Sequence, residues 1–246
     1  MPNQKTIMMK SIYKYLSCML FLFLSCKETT KKTSVTTIEN KTDTIINSKL
    51  AIKQDQTNIT YIREFDENIE PFVKKIQNKL YGFDRNIKIS HQIIETNKWI
   101  DGYSFVIVFF DLFDNDENSE NVEGFILCSL DKKKYHLIKI DTFYPEGRKA
   151  NIESVFFSNA DQDDSKELVI LCSWIQRHKN TAEGKLYQTF IYDDYKPQTK
   201  VNKLVFLQEI SDHFSIEFEG IQEGEESIAK FKSSFSIKNE LKNLGF

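Results

Sequence analysis

An acidic loop in the second half of the chain has the residue types and the spacing of a metal-binding segment. Oxygen-bearing side chains occupy alternate positions of this loop, as Asn159, Asp161, Asp163, Ser165 and Glu167. Side chains at alternate positions of a tight loop can converge on one point, and Ca²⁺ takes six to eight hard oxygen ligands. Without a counterion, these carboxylates would repel one another. The spacing therefore predicts a calcium site, and the alternative is a solvated, metal-free acidic turn between two strands.

This segment resembles the calcium loops of FG-GAP (VCBS-type) repeats. Those loops read Asp-x-Asp-x-Asp-Gly-x-x-Asp and lead into an apolar strand, as does the segment that begins at Asn159. The resemblance implies that Asn159, Asp161, Asp163 and Glu167 are ligands, with Ser165 near the position of a backbone-carbonyl ligand. Asp164 departs from the pattern, because it stands where the family has the glycine of a sharp turn. The likeness implies no catalytic activity.

The strands around this loop repeat an earlier part of the chain. Val108-Phe109-Phe110 leads to Asp114-Asn115-Asp116 and then to the apolar residues 125–129; Val155-Phe156-Phe157 leads to Asp161-Gln162-Asp163 and then to residues 169–173. Each unit predicts a strand, an acidic loop and a second strand. A duplicated hairpin would explain the pattern, and the alternative is chance similarity between two apolar hairpins. The first acidic loop is thus a weaker second candidate for calcium.

Cys128 and Cys172 occupy the same point of the two repeated units. An oxidising compartment permits a disulfide between them if their strands are neighbours. The alternative is a pair of small buried thiols, which is how many cysteines in strands behave.

Signatures of catalysis are missing from the sequence. The four histidines have neither His-x-x-x-His nor Cys-x-x-Cys spacing for zinc, and they are His91, His136, His178 and His213. No Gly-x-Ser-x-Gly elbow and no glycine-rich phosphate loop occurs. Ser211-Asp212-His213 are adjacent in sequence, which does not by itself give the geometry of a triad. A hydrolase with a carboxylate pair stays open, because acidic residues are plentiful.

The composition excludes two further classes of protein, intrinsically disordered chains and general nucleic-acid binders. The chain has 246 residues, of which 40% are hydrophobic, so it can bury a core and is not intrinsically disordered. The formal net charge is −3, and no run of Lys and Arg with interleaved aromatic residues occurs. A mildly acidic chain of this kind has no general attraction to nucleic acid.

Residues 1–25 predict a lipoprotein signal peptide. A lysine-containing start without acidic residues precedes a short apolar stretch at residues 15–25. This stretch suits a signal peptide and is too short for a membrane helix, which needs roughly 20 apolar residues. The stretch ends in Phe23-Leu24-Ser25-Cys26 and is followed by polar residues. The alternative is an ordinary secretory signal.

The end of this stretch resembles the lipobox of bacterial lipoproteins, although Phe23 and Leu24 stand where the family prefers Leu and a smaller residue. The resemblance implies cleavage before Cys26 and a diacylglycerol group on that cysteine. Lys27 is not the Asp that, by the family rule, retains such proteins in the inner membrane, which favours lipid anchoring in the outer membrane. Two or more acyl chains make such anchoring stable.

Beyond the signal, the pattern predicts a tether and one folded domain. Residues 26–60 comprise the lipidated cysteine and a polar segment rich in Thr, Lys, Asn and Ser, which predicts a disordered tether; a Thr-rich strand is the alternative. Residues 61–246 predict a single α+β, mainly β domain. We expect an antiparallel meander sheet, one N-terminal helix within 66–81 and a short C-terminal helix within 236–244. The expected strands include the apolar run at 103–110, which suits a central strand, and the segments 167–174 and 203–210.

These features leave three hypotheses for the function. The first is a non-catalytic envelope lipoprotein that presents a β-rich domain to a protein or glycan partner. The second is an envelope hydrolase that uses two carboxylates in a groove. The third is a membrane-tethered immunity or inhibitor protein, which a small acidic domain fits equally well.

Overall fold

A computed structural model describes residues 60–83, 87–114, 119–179, 181–199 and 201–246. The predicted signal peptide, Cys26 and nearly all of the predicted tether lie outside the described residues. Thr60, predicted as the last tether residue, is the first residue of a strand. Among the described residues, no helix combines the length and the apolar character that crossing a bilayer requires.

The first of two antiparallel sheets has six strands, in the order β1-β6-β5-β4-β2, with β3 also paired to β4. Its strands are β1 (Thr60–Ile62), β2 (Lys88–Ile89), β3 (Ile94–Thr96), β4 (Phe105–Asp114), β5 (Ser119–Ser129) and β6 (Lys134–Phe143). The long strands β4, β5 and β6 follow one another as a meander, and a register shift between Glu123 and Phe125 interrupts the pairing of β5 with β6.

The second sheet has five strands, in the order β11-β10-β9-β8-β7, so it is a meander throughout. Its strands are β7 (Asn151–Ser158), β8 (Glu167–His178), β9 (Ala182–Tyr192), β10 (Glu217–Gln222) and β11 (Glu225–Ser227). Gly184 permits the close approach of β9 and β10, since a Cβ atom at this position would lie 2.1 Å from the carbonyl oxygen of Glu219.

The two sheets pack face to face, and helices cover their outer faces. In β4, Phe105, Ile107 and Phe109 point into the core between the sheets. The intervening residues Val106, Val108 and Phe110 pack under the helix α1 (Ile69–Tyr81). Because β4 is covered on both sides, its sequence is a continuous apolar run rather than an alternating one.

Two helices cover the outer face of the second sheet. They are α2 (Gln208–His213) and α3 (Ser234–Leu244), and they pack on Val169, Leu171 and Ile191. The helix α3 begins at the Ser233 cap, whose side chain accepts a hydrogen bond from the Ser236 amide. It ends at Gly245, which has the left-handed conformation that favours glycine. The expected short C-terminal helix therefore agrees with α3.

The prediction of a mainly β fold with antiparallel sheets is confirmed, but two sheets replace the expected single one. The expected strand at 203–210 is also wrong. The Leu204 amide donates to the carbonyl of Lys139 in β6, and the Leu207 amide donates to the carbonyl of Ile191 in β9. Residues 201–207 therefore connect the two sheets instead of extending either one, and α2 follows them.

Candidate metal centre

The acidic loop joins β7 to β8 directly beyond their last paired residues, Ser158 and Glu167. Its side chains accept hydrogen bonds from backbone amides two residues further on. Asn159 Oδ1 accepts from the Asp161 amide at 3.3 Å, and Asp161 Oδ1 accepts from the Asp163 amide at 2.9 Å. Asp163 Oδ1 accepts from the Ser165 amide at 2.6 Å. These successive Asx turns explain how a short polar segment winds tightly enough to bring alternate side chains together.

Three carboxylates of the loop lie together. Asp161, Asp163 and Glu167 each offer an oxygen atom, and these atoms lie within 4.8 Å of one another. The structure thus brings together the three predicted acidic ligands. Asn159 and Ser165 support the loop through the turns above and through a bond from Asn159 Nδ2 to the Asp163 carbonyl. Their part as ligands stays a prediction.

Glu167 is the most unusual residue of the group, because its side chain is 0% exposed. Oε2 accepts a hydrogen bond from the Ala160 amide. Oε1 is buried and has no hydrogen-bond partner among the described residues. An unpaired buried carboxylate costs several kcal/mol when it is charged, and a bound cation removes most of that cost. The orphaned oxygen therefore fits a metal ligand.

The electrostatic environment of Glu167 leads to the same conclusion. Burial, together with the negative charges of Asp161 and Asp163, raises its pKa to about 7 against the opposing effect of the Ala160 amide. The charged form is thus less favourable in the metal-free loop than it is for an ordinary glutamate. A divalent cation near all three carboxylates reverses this preference, because it stabilises the charged form.

Asp164 does not need the glycine that the FG-GAP pattern has at its position. Among the described residues, Glu223 is the one non-glycine residue with a positive φ. The loop therefore turns at Asp164 without left-handed backbone. Asp164 is exposed and stands outside the group of three carboxylates.

Trp99 attaches the loop to the first sheet, a contact that the sequence did not reveal. Its indole Nε1 donates to the carbonyl of Lys166 at 2.6 Å, next to Glu167. Its ring stacks on Phe157 of β7, with centroids 5.0 Å apart and an angle of 17° between the planes. Since Trp99 lies between β3 and β4, the loop is held from both sheets. No local spacing signals a contact between residues so far apart in the chain.

The repeated unit occupies equivalent hairpins, β4–β5 in the first sheet and β7–β8 in the second. Residues 115–118 of the first acidic loop lie outside the described residues. Cys128 and Cys172 both face the core between the sheets and are free, buried thiols. Burial raises the pKa of Cys128 to about 12 and that of Cys172 well above its usual range. Neither is a reactive thiolate, and a disulfide between them stays a prediction.

The adjacent residues Ser211, Asp212 and His213 do not form a catalytic triad. The Ser211 hydroxyl accepts from the Ile191 amide at 3.0 Å. Asp212 accepts from the side chain of Gln208, and His213 pairs with Glu240. Since each side chain has a different partner, no proton relay connects them.

The carboxylates that line one surface cavity are each paired with a lysine rather than with each other. A cavity of about 590 Å³ is lined by Glu64 and Asp131 among others. Glu64 lies 3.7 Å from Lys133 Nζ, and Asp131 lies 3.8 Å from Lys134 Nζ. Backbone amides of both lysines hold the pKa of Asp131 below its usual value, so this carboxyl is a poor general acid.

No protein-family model, curated protein or solved structure matches this chain significantly.

Proposed function

We propose that this chain is a lipid-anchored, non-catalytic protein of the bacterial cell envelope, anchored through Cys26 in the outer membrane. Its β-sandwich domain binds Ca²⁺ in the β7–β8 loop and presents a surface to a protein or glycan partner. The observation that carries the calcium part is the buried Glu167: its carboxylate lies beside Asp161 and Asp163, and its Oε1 lacks a hydrogen-bond partner among the residues that the structure describes. The anchor rests on the likeness of residues 23–26 to a lipobox.

Calcium suits the loop better than other common cations. The side-chain ligands that the loop offers are oxygens, whereas Zn²⁺ prefers nitrogen and sulfur ligands, so the loop disfavours Zn²⁺. Mg²⁺ demands near-ideal octahedral geometry and keeps several waters. A loop that offers three carboxylates, an amide, a hydroxyl and its own carbonyls supports the larger and more flexible coordination shell of Ca²⁺.

The role of the ion would be structural. The loop connects two strands of the second sheet, and Trp99 connects it to the first. An ion that neutralises the loop therefore stabilises the packing between the sheets. A ligand that binds the folded state alone at 100 times its Kd adds about 2.7 kcal/mol of stability. For a domain of this size, that corresponds to an increase in Tm of about 5–10 °C.

Thermal unfolding of the purified chain in calcium, in magnesium and in chelator tests this proposal. We expect Tm to rise in calcium by the amount above and to change less in magnesium. The double variant Asp161→Asn plus Asp163→Asn should lose the response. Asp164→Asn is the matched control, since it removes one charge from the same loop outside the carboxylate group, and it should keep the response. An unchanged Tm in millimolar calcium would reduce the loop to a solvated turn.

A further inference from the structure

The end of β9 lies beside the proposed metal centre. The pairing of β8 with β9 begins at Leu168 opposite Tyr192, so the position opposite Glu167 is Asp193. Residues directly opposite each other in an antiparallel pair have Cβ atoms about 4.5–5.5 Å apart. Asp193 follows the last residue of β9 directly, and its amide donates to the Val205 carbonyl at 2.9 Å.

The alternation of side chains places Asp193 on the same face as Glu167. Leu168 and Tyr192 point into the core between the sheets. Their neighbours Val169 and Ile191 point to the opposite face, under the helices. Since successive residues of a strand alternate between faces, Glu167 and Asp193 lie on the face of Val169 and Ile191.

We infer that Asp193 is a fourth acidic residue of the metal centre, contributed by a strand outside the loop. The inference rests on the proposed calcium site. Asp193 stands outside the three carboxylates whose oxygens lie within 4.8 Å of one another, so it acts on the cation as an outer-shell group through a bridging water. Its Oδ1 accepts from the Asp194 amide at 2.9 Å, and we assign Oδ2 to the contact with that water.

Two observations support a ligand at this place rather than an acidic patch. The first is the fully buried Glu167, whose carboxylate belongs to the group of three and whose Oε1 has no hydrogen-bond partner in the described part of the chain. The second is the register of β8 with β9, which when extended by one residue places Asp193 opposite that glutamate.

A fourth carboxylate also determines which cations the site prefers. Four carboxylates around one ion favour cations of high charge with oxygen ligands, such as Ca²⁺ and the trivalent lanthanides, over monovalent ions. Tb³⁺ is therefore a suitable probe of the site, because nearby Trp99 can sensitise its luminescence.

The test is a titration of the purified chain with Ca²⁺, and with Tb³⁺ followed by its luminescence. Removal of an outer-shell partner of a metal ligand costs about 10–100-fold in affinity. We expect Asp193→Asn to weaken Ca²⁺ binding by about 10-fold or more, while the control Asp164→Asn stays within about twofold of the wild type. In chelator, Asp193→Asn should unfold at the wild-type temperature or above it, because it removes a repelling charge. A purely structural role would instead lower Tm in chelator.

The outcomes separate this inference from the proposed function. In one outcome the wild type binds calcium, Asp161→Asn abolishes binding, and Asp193→Asn binds as well as Asp164→Asn does. The role of Asp193 is then refuted and the loop site stands. If the wild type binds neither Ca²⁺ nor Tb³⁺ at millimolar concentration, both are refuted. Selective weakening in Asp193→Asn supports both.

Discussion

Replacement of Glu167 by glutamine gives the sharpest test of the metal centre. In chelator near pH 8, Glu167 is a buried carboxylate with one unpartnered oxygen. Glutamine has nearly the same shape, still accepts from the Ala160 amide through its carbonyl, and directs its amide group at Asp161 and Asp163. Glu167→Gln should therefore stabilise the metal-free protein at neutral and higher pH, although it removes an acidic residue that looks essential.

The magnitude follows from proton linkage. The pKa of Glu167 rises from 4.5 in its ordinary state to about 7 in the folded protein. Between these two values the folded state binds more protons than the unfolded state, so stability falls as the pH rises through this window. Each unit of pKa shift corresponds to 1.36 kcal/mol. The wild type should therefore lose up to about 3 kcal/mol between pH 4.5 and pH 7, and Glu167→Gln should not.

The assay is the difference in unfolding free energy between wild type and Glu167→Gln, measured by urea denaturation in chelator from pH 4.5 to 8. Carboxyl groups with lowered pKa values, such as Glu67 and Glu240, change stability in the opposite direction but cancel in this difference. The difference should be near zero at pH 4.5 and reach about 3 kcal/mol in favour of the variant at pH 8. In calcium the wild type gains stability and the variant does not.

Two results would refute this reasoning. One is a variant that is less stable than the wild type in chelator at pH 8, which would mean that Glu167 has a favourable partner in solution. The other is a difference that does not change with pH, which would mean that its carboxyl titrates normally. Asp164→Asn is again the control, because its exposed side chain should give no pH-dependent difference.

Two further predictions concern the contact from Trp99 and the lipid anchor. Because Trp99 contacts the loop, we expect its fluorescence to change when calcium binds. Trp99→Phe removes the hydrogen bond to the Lys166 carbonyl, so it should lower the free energy of unfolding by about 1–3 kcal/mol and abolish this fluorescence change. Trp174→Phe loses a similar bond, to the Tyr144 carbonyl at 2.9 Å, and should keep that change; an equal loss in both variants would contradict the assigned contact. Cys26→Ala should move the chain from the membrane fraction to the soluble fraction. Cys18 lies inside the apolar stretch of the predicted signal peptide, so Cys18→Ala should leave the chain membrane-bound. Retention of Cys26→Ala in the membrane would contradict the lipobox interpretation.

The parts of the site that the sequence predicts are those that lie within one loop. Asp161, Asp163 and Glu167 are close in the chain, so their spacing alone indicates that they can meet. Trp99 and Asp193 reach the same place only through the packing of the sheets and the register of β9 with β8. Local sequence indicates neither of these two contacts, because both depend on which strands become neighbours.

The same distinction applies to the fold. The apolar runs at 103–110 and 167–174 predicted strands, and both lie in long strands of the structure, β4 and β8. A strand that is covered on both faces has no period-two pattern, so the sequence does not indicate which face meets which layer. The arrangement of two sheets was therefore not predictable from these runs, and neither was the segment at 201–207 that bonds to both sheets.

The segment at 201–207 has a consequence for how the domain comes apart. It is hydrogen-bonded at one end to β6 and at the other to β9, so neither sheet can separate from the other without breaking hydrogen bonds to this segment. Opening of either sheet is then coupled to opening of the other. Slow-exchanging amides in β6 and β9 should accordingly belong to one cooperative folding unit rather than to two separate ones.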